Sequence, residues 1–243
     1  MPNPTAAMLV IGDEILSGRT RDSNAHHLAG RLTAHGIDLG EVRFIGDVED
    51  AIVDAVRALS ARYDHVFTSG GIGPTHDDIT ADCVAAAFDT PIDVRDDARR
   101  RLEAHYEARR TDLNAARLRM ARIPDGAGLI DNPISAAPGF TLGNVHVLAG
   151  VPQIFEAMLE GVLPGLTGGA PLQSRTLSTA SGEGDIAGPL AKLAAAHPEL
   201  SFGSYPFVAN GGFGVNVVVR GTDPAALDAA LGALKAALPD AAA

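Results

Sequence analysis

Cysteine occurs once in the 243 residues, as Cys83. A disulfide framework within the chain is therefore excluded. Cys83 lies in an apolar stretch that reads as helix, so a small core residue is expected there rather than a catalytic thiol. Basic residues are scarce: 19 Lys and Arg stand against 30 Asp and Glu, a formal net charge of −11. That deficit argues against a nucleic-acid backbone as the main partner, because phosphate backbones are met by clustered Lys and Arg. No uncharged apolar run reaches the ~18 residues of a membrane span, and no basic segment leads into an apolar one at the N-terminus. The expectation is a cytoplasmic protein with no membrane partner. No HExxH spacing occurs either, so His26, His27 and His35 read as surface or packing residues rather than zinc ligands. What is present is ample apolar material, 46% of the chain. A core can form, and the length suits one large domain or a medium and a small one.

The chemistry gathers in Ser69-Gly70-Gly71-Ile72-Gly73-Pro74-Thr75-His76-Asp77-Asp78-Ile79-Thr80. The run before it, Tyr63 to Thr68, reads as a short buried strand, and Ala81 to Phe88 reads as a helix. Glycines on a strand-to-helix turn let a ligand approach the main chain. The first N–H groups of a helix lack partners within it and carry the positive end of its dipole, so such a turn can hold a phosphate. A plainer reading stands beside this one. Thr75-His76-Asp77-Asp78 also fits a capping box, with Thr75 at the N-cap and an acid three residues on. A cap has no need of Gly70, Gly71 and Gly73, and the combination favours a ligand site. The common phosphate motifs do not fit: Pro74 stands where a P-loop has lysine, and His76 where a dinucleotide fingerprint has glycine. A diphosphate facing Asp77 and Asp78 would be repelled unless a hard divalent cation stood between them, so a phosphate ligand here implies a metal.

The block GGIGPTHDDIT resembles the signature of the molybdopterin-binding-domain superfamily, most closely its CinA-like branch (competence/damage-inducible protein A). It is also similar to the corresponding domain of eukaryotic FAD synthases. Two further blocks carry the resemblance: Gly12-Asp13-Glu14-Ile15-Leu16-Ser17-Gly18 followed by Asp22-Ser23-Asn24, and Gly150-Val151-Pro152. The resemblance spans about residues 5 to 165. It implies metal-dependent hydrolysis of a nucleotide pyrophosphate of the ADP-ribose or FAD class. Gly70, Gly71, Gly73, Pro74 and Thr75 would cradle the diphosphate, with Gly12, Asp13, Asn24 and Gly150 also contacting ligand. Asp78, Asp77 and Asp47 would hold Mg²⁺, Mn²⁺ or Co²⁺, and Asp78, Asp47 and Glu14 would be the catalytic acids. The alternative is binding of molybdopterin, or nucleotidyl transfer, without hydrolysis. A decayed, purely structural site is a third reading. Where the family commonly has Gly-Pro-Pro and then a Glu-Met pair, this sequence has Gly-Val-Pro and Gln153-Ile154-Phe155-Glu156, which puts contacts of that loop in question. The C-terminal amidohydrolase domain of longer CinA proteins is not expected here, nor is nicotinamide-nucleotide deamidation.

In chain order, Thr5 to Ile11 reads as a first strand, with Asp13 to Gly18 a loop at its C-terminal end. Ser23 reads as the cap of the next helix, with Leu28 and Leu32 on one face. Asp38 to Ile45 is a second strand, and Asp47 is the N-cap candidate for a helix carrying Ile52, Ala55, Val56 and Leu59. Asp96 to Arg110 is a charged helical face, and Arg117, Arg119 and Arg122 form a basic cluster that could meet an anion or pair on the surface. Gly143-Asn144 signals a hairpin between Thr141-Leu142 and Val145 to Leu148. Pro152 opens a helix to about Leu163. Alternating strands and helices imply an α/β domain, a mostly parallel sheet with helices on both faces, over residues 1–168. Pro164 to Pro171 is the linker candidate. Strands at 172–180, 200–208 and 214–220, helices at 185–196 and 224–238, and a turn at Asn210-Gly211-Gly212 predict a small α+β domain over 172–243. It resembles the KH-like domain of CinA-like proteins but lacks basic neighbours for nucleic acid. It reads as an interaction element, and a homo-oligomer, a dimer by preference, is expected.

Overall fold

The computed structural model describes residues 2–209, 212–238 and 241–242. Asn210 and Gly211, read above as part of a turn, lie outside the described residues. Contacts divide the chain into two compact units, Met1–Gly169 and Ala170–Ala243.

The first unit is built around β1 (Thr5–Ile11), of which every residue after Thr5 is buried. Its side chains alternate between two cores. Ala7, Leu9 and Ile11 point into one, Ala6, Met8 and Val10 into the other. A strand apolar on both faces belongs in the middle of a covered parallel sheet. The chain continues through α1 (Asp13–Leu16), α2 (Asn24–His35), β2 (Asp38–Ile45), α3 (Glu49–Arg62), β3 (His65–Ser69) and α4 (Thr80–Ala87). Next come β4 (Ile92–Val94), α5 (Asp96–Ala108), α6 (Ala115–Leu118), β5 (Arg122–Pro124), β6 (Gly128–Ile130), β7 (Gly139–Leu142), β8 (Val145–Leu148) and α7 (Pro152–Val162). The sheet order is β2-β1-β3-β8-β7-β6. The first four strands run parallel, while β7 and β6 join antiparallel. Beside it, β4 and β5 form a separate antiparallel ribbon.

Helices cover both faces. Ile52, Ala55, Val56 and Leu59 of α3, Cys83 and Val84 of α4 and Leu102 of α5 meet one face. Leu28 and Leu32 of α2 with Phe155, Met158 and Leu159 of α7 meet the other. Cys83 is a core residue, and burial pushes its thiol up to about 12. Because β2 and β3 lie on opposite sides of β1, the chain reverses direction across the sheet at β1. In open α/β sheets the crevice at such a reversal, outside the C-terminal strand ends, is where ligands bind. The three-residue strands β4, β5 and β6 had no sequence signal, since so short a run shows no period. The antiparallel edge therefore carries one strand more than the hairpin alone predicts.

The second unit comprises β9 (Gln173–Thr179), α8 (Glu183–Ala196), β10 (Ser201–Ala209), β11 (Gly212–Gly221), α9 (Pro224–Ala237) and β12 (Ala241–Ala242). Its antiparallel sheet has the order β10-β11-β9-β12. Val215, Val217 and Val219 alternate inward against Ile186 of α8 and Leu227 and Leu234 of α9. Asp223 caps α9 by accepting the Ala225 N–H at 2.9 Å, with Pro224 at the first helical position. Among the described residues no helix is long and apolar enough to cross a membrane.

A histidine is buried in the first unit. His146 on β8 stacks on Phe67, centroids 4.9 Å apart, lies 3.0 Å from Thr141 Oγ1 by Nδ1, and neighbours His65. Burial, then the nearby His65, pushes its pKa from 6.5 down to about 4. The folded state thus prefers neutral His146, while an unfolded chain takes up the proton below about pH 6.5. The stability it contributes is present above that pH and is lost as pH falls towards 4. By linkage the loss is about 3 kcal/mol. We expect His146→Leu to flatten this acid limb in urea melts between pH 7.5 and 4; parallel pH curves for the two proteins would contradict it.

Candidate functional site

Four loops meet outside the C-terminal ends of β1, β2, β3 and β8. They carry Gly12 to Glu14, Asp47, Gly70 to Asp78, and Gly150 to Ile154. Together they wall a cleft of about 530 Å³. Gly12, Glu14 and Asp47 line it, as do Gly70, Gly71, Gly73, Pro74 and Thr75. Asp77, Asp78 and Gly150 line it too. Two of the sequence candidates do not. Asp13 turns its carboxylate against Gly46, and Asn24 lines a smaller recess alongside.

The glycine turn is held by hydroxyls. Thr80 Oγ1 donates to the Gly70 carbonyl and Thr80 N–H to the Gly71 carbonyl, both at 3.0 Å. Gly70 has φ 106 and Gly71 φ 68. A Cβ on Gly70 would meet the Ile11 carbonyl, and one on Gly71 would meet Thr80 Oγ1. Both positions thus need the absence of a side chain as well as its conformational freedom. Among the described residues the N–H groups of Gly71, Ile72 and Gly73 make no hydrogen bond. Successive free amides in such a turn form an anion-binding concavity.

The capping-box reading is corrected by these contacts. Asp78 Oδ2 does accept the Thr75 N–H at 2.8 Å and the Thr75 hydroxyl at 2.5 Å. That pair closes a turn ahead of the helix, for α4 begins at Thr80, with Ile79 at its N-cap. Asp77 and Asp78 therefore stand outside the helix, and the first helical N–H, that of Thr80, is already spent on Gly71. The free amides that line this cleft are those of the turn; Ala81 and Asp82, the next helical residues, are not among its walls.

Two other caps move in the same way. Ser23 makes no side-chain cap; Asp22 accepts the N–H groups of Asn24 at 3.2 Å and Ala25 at 3.1 Å instead. Asp47 does not cap α3, whose N-cap is Val48. Its carboxylate reaches across to the Asp13 N–H at 3.0 Å. Burial chiefly, and then the charges of Asp13, Glu14 and Asp77, raise its pKa, against the lowering effect of that hydrogen bond. An acid so placed is ionised at a cost, and a cation would relieve it.

The basic cluster does not act as one. Arg122 pairs with Asp82, and Arg117 bonds the Asp112 carbonyl and stacks on Tyr106. Arg119 alone leans on the turn, from 3.4 Å, at the Asp78 carbonyl. The cleft also has an apolar lining, Met120, Ala149, Val151, Pro152 and Ile154, with Asn132 and Ser135 as further polar residues. Glu14, Asp47, Asp77 and Asp78 offer hard oxygen donors that suit Mg²⁺ or Mn²⁺. Among the described residues no three such side chains stand close enough to hold an ion by themselves. A cation here would draw further ligands from the substrate or water, as Mg²⁺ commonly does.

Residues 7–168 match the family described as "Probable molybdopterin binding domain". The chain belongs to this family. It is a CinA-like member. A CinA-like protein of Myxococcus xanthus is 35% identical over 213 residues, 81% of this chain and 50% of the relative. A Caenorhabditis elegans protein named "Probable FAD synthase" is 32% identical over 258 residues, 95% of this chain and 49% of that one. The chain thus spans about half the length of these two relatives. Residues 171–243 match "FAD synthase, middle domain". Among solved structures, the protein CinA with unknown function from Thermoplasma acidophilum aligns with a TM-score of 0.61 at 34% identity. The alignment covers 66% of this chain and 98% of that one.

The geometry of the CinA-like turn carries a stability test. Gly71→Ala forces a Cβ into Thr80 Oγ1 at a positive φ, so we expect a loss of about 1–3 kcal/mol in urea unfolding. Gly126→Ala, also at positive φ but with open space around it, is the control and should cost less. Equal losses would mean the Thr80 contact is without consequence.

Proposed function

We propose that this chain hydrolyses the pyrophosphate bond of a nucleotide of the ADP-ribose or FAD class, with a divalent cation. The observation that carries the reading is the three consecutive free amides of Gly71, Ile72 and Gly73 in a cleft whose charged groups are carboxylates. Amides that receive an anion, set among acids that repel it, make sense together when a cation joins the two.

In this reading the Gly71–Gly73 amides bind and orient one phosphate. Asp47 and Asp77 hold the cation, which supplies charge neutralisation at the phosphoryl oxygens. Asp78 keeps one oxygen on Thr75 and so sets the shape of the turn, while its charge adds to the metal-facing group. Glu14, folded back over Gly12, orients the attacking water and accepts its proton. The apolar wall of Met120, Val151, Pro152 and Ile154 takes the ring system of the ligand and excludes water on that side. The relatives named for FAD synthesis and the molybdopterin family name support a nucleotide or pterin phosphate as the ligand class.

One observation favours a second reading, retention of molybdopterin or nucleotidyl transfer without hydrolysis. No preformed group of three metal-ligating side chains occurs among the described residues. Incubation with ADP-ribose or FAD plus Mg²⁺, Mn²⁺ or Co²⁺ separates the two. Release of AMP without an acceptor supports hydrolysis; no AMP, with pterin retained through purification, supports binding.

Among variants, Asp47→Asn should lower turnover by about 100-fold or more, the scale of losing one group that stabilises developing charge, at unchanged melting temperature. Asp78→Asn should lower turnover and also the melting temperature, because the Thr75 contact weakens. Wild-type rates in Asp47→Asn would remove Asp47 from the site.

A further inference from the structure

Beside the main cleft lies a recess of about 50 Å³, lined by Asn24, Ser69 and Arg21 and sharing Glu14, Thr20 and Gly150 with the cleft. Asn24 is only 3% exposed. Its amide nitrogen donates to Ser69 Oγ and to the Gly150 carbonyl, both at 2.8 Å. The second contact fixes the orientation of the amide, since a flipped Asn24 would set oxygen against oxygen. Its Oδ1 is buried and has no hydrogen-bond donor among the described residues. A buried acceptor without a donor is uncommon in native proteins and calls for one, from an ordered water or from a ligand group that displaces it.

We infer that this recess takes a sugar hydroxyl of the bound nucleotide, donated to Asn24 Oδ1. The inference rests on the reading of the cleft as a nucleotide site and adds to it a subsite with a stated preference. Size and charge both support a hydroxyl. The space is about a tenth of the main cleft's, enough for a few water-sized groups. Two carboxylates, Glu14 and Asp22, stand on its wall against one cation, Arg21, so the lining is net negative and favours a neutral donor over a phosphate. Position supports the sugar. Ser69, on the recess, and Gly71, the first free amide, are two residues apart, and a Cβ on Gly150 would stand 3.2 Å from Gly70 Cα. A group in the recess is therefore the one joined directly to the diphosphate on the turn, and in a nucleotide that is the ribose. Asn24 in this role selects the sugar and takes no part in bond cleavage.

The test compares ADP with 2′,3′-dideoxy-ADP by calorimetry in Mg²⁺. ADP has a single ribose, so its direction in the cleft does not matter. Wild-type protein should bind ADP about tenfold more tightly, the scale of one hydrogen bond to a buried acceptor. Asn24→Ala should bring the ratio close to one while circular dichroism shows the fold retained. If that variant does not fold, the wild-type ratio decides alone. Equal affinity of the wild type for the two ligands, or an unchanged ratio in Asn24→Ala, overturns the subsite and leaves the nucleotide reading standing. Failure of the wild type to bind ADP or ADP-ribose at all overturns both.

Discussion

The site depends on how two threonines, through hydroxyl and main-chain N–H together, hold the glycine turn. Thr80, the first residue of α4, bonds the carbonyls of Gly70 and Gly71, and Thr75 closes on Asp78. The Thr80 contacts occupy the Gly70 and Gly71 carbonyls, while the amides of residues 71–73 have no partner among the described residues. Free amides in succession present a positive concavity made by the main chain itself, and one basic side chain, Arg119, reaches the turn, at the Asp78 carbonyl. The net charge of −11 is compatible with an anionic ligand on those terms. Attraction is local and made by dipoles, while the field of the whole molecule would slow rather than steer a polyanion.

The sheet places this turn. With β2 and β3 on opposite sides of β1, the loops after them separate, and the crevice opens at the end of β1. Gly12 and Glu14 follow β1, Asp47 follows β2, the glycine turn follows β3, and Gly150 follows β8. Residues more than a hundred positions apart converge there. The Asn24 bond to the Gly150 carbonyl bridges 126 residues at 2.8 Å. The Asp47 bond to the Asp13 amide likewise ties the ends of β2 and β1. Asp47 is consequently held by the main chain of a neighbouring loop, and Asp78 by Thr75 of its own.

Much of the architecture was legible in the chain. The boundaries of β1 and β2 follow from apolar runs ended by glycine, and Asn24 to His35 and Glu49 to Arg62 follow from spacing. The small strands β4, β5 and β6 were not legible, because three residues hold no period and their pairing is set by partners far along the chain. None of the three caps weighed at Ser23, Asp47 and Thr75 forms as a side-chain cap of its helix, although Ser23 does stand at the N-cap position. In each case the motif marks the right neighbourhood, but a polar side chain near a helix start has several N–H groups within reach. Asp22 took the amides assigned to Ser23, Asp47 turned to another loop, and Thr75 and Asp78 satisfied one another.

By itself the sequence determined the alternation that buries β1 on both faces, the glycine turn, and the presence of several acids without lysine near it. These are local properties, fixed by spacing and residue type. Only the tertiary structure decided which of those acids share a cleft, that the free amides lining it belong to the turn, and that the Asn24 carbonyl is left without a donor. Each of these turns on what a neighbouring loop supplies across the sheet, and hydrogen bonds between residues distant in the chain are not encoded in any short window of it.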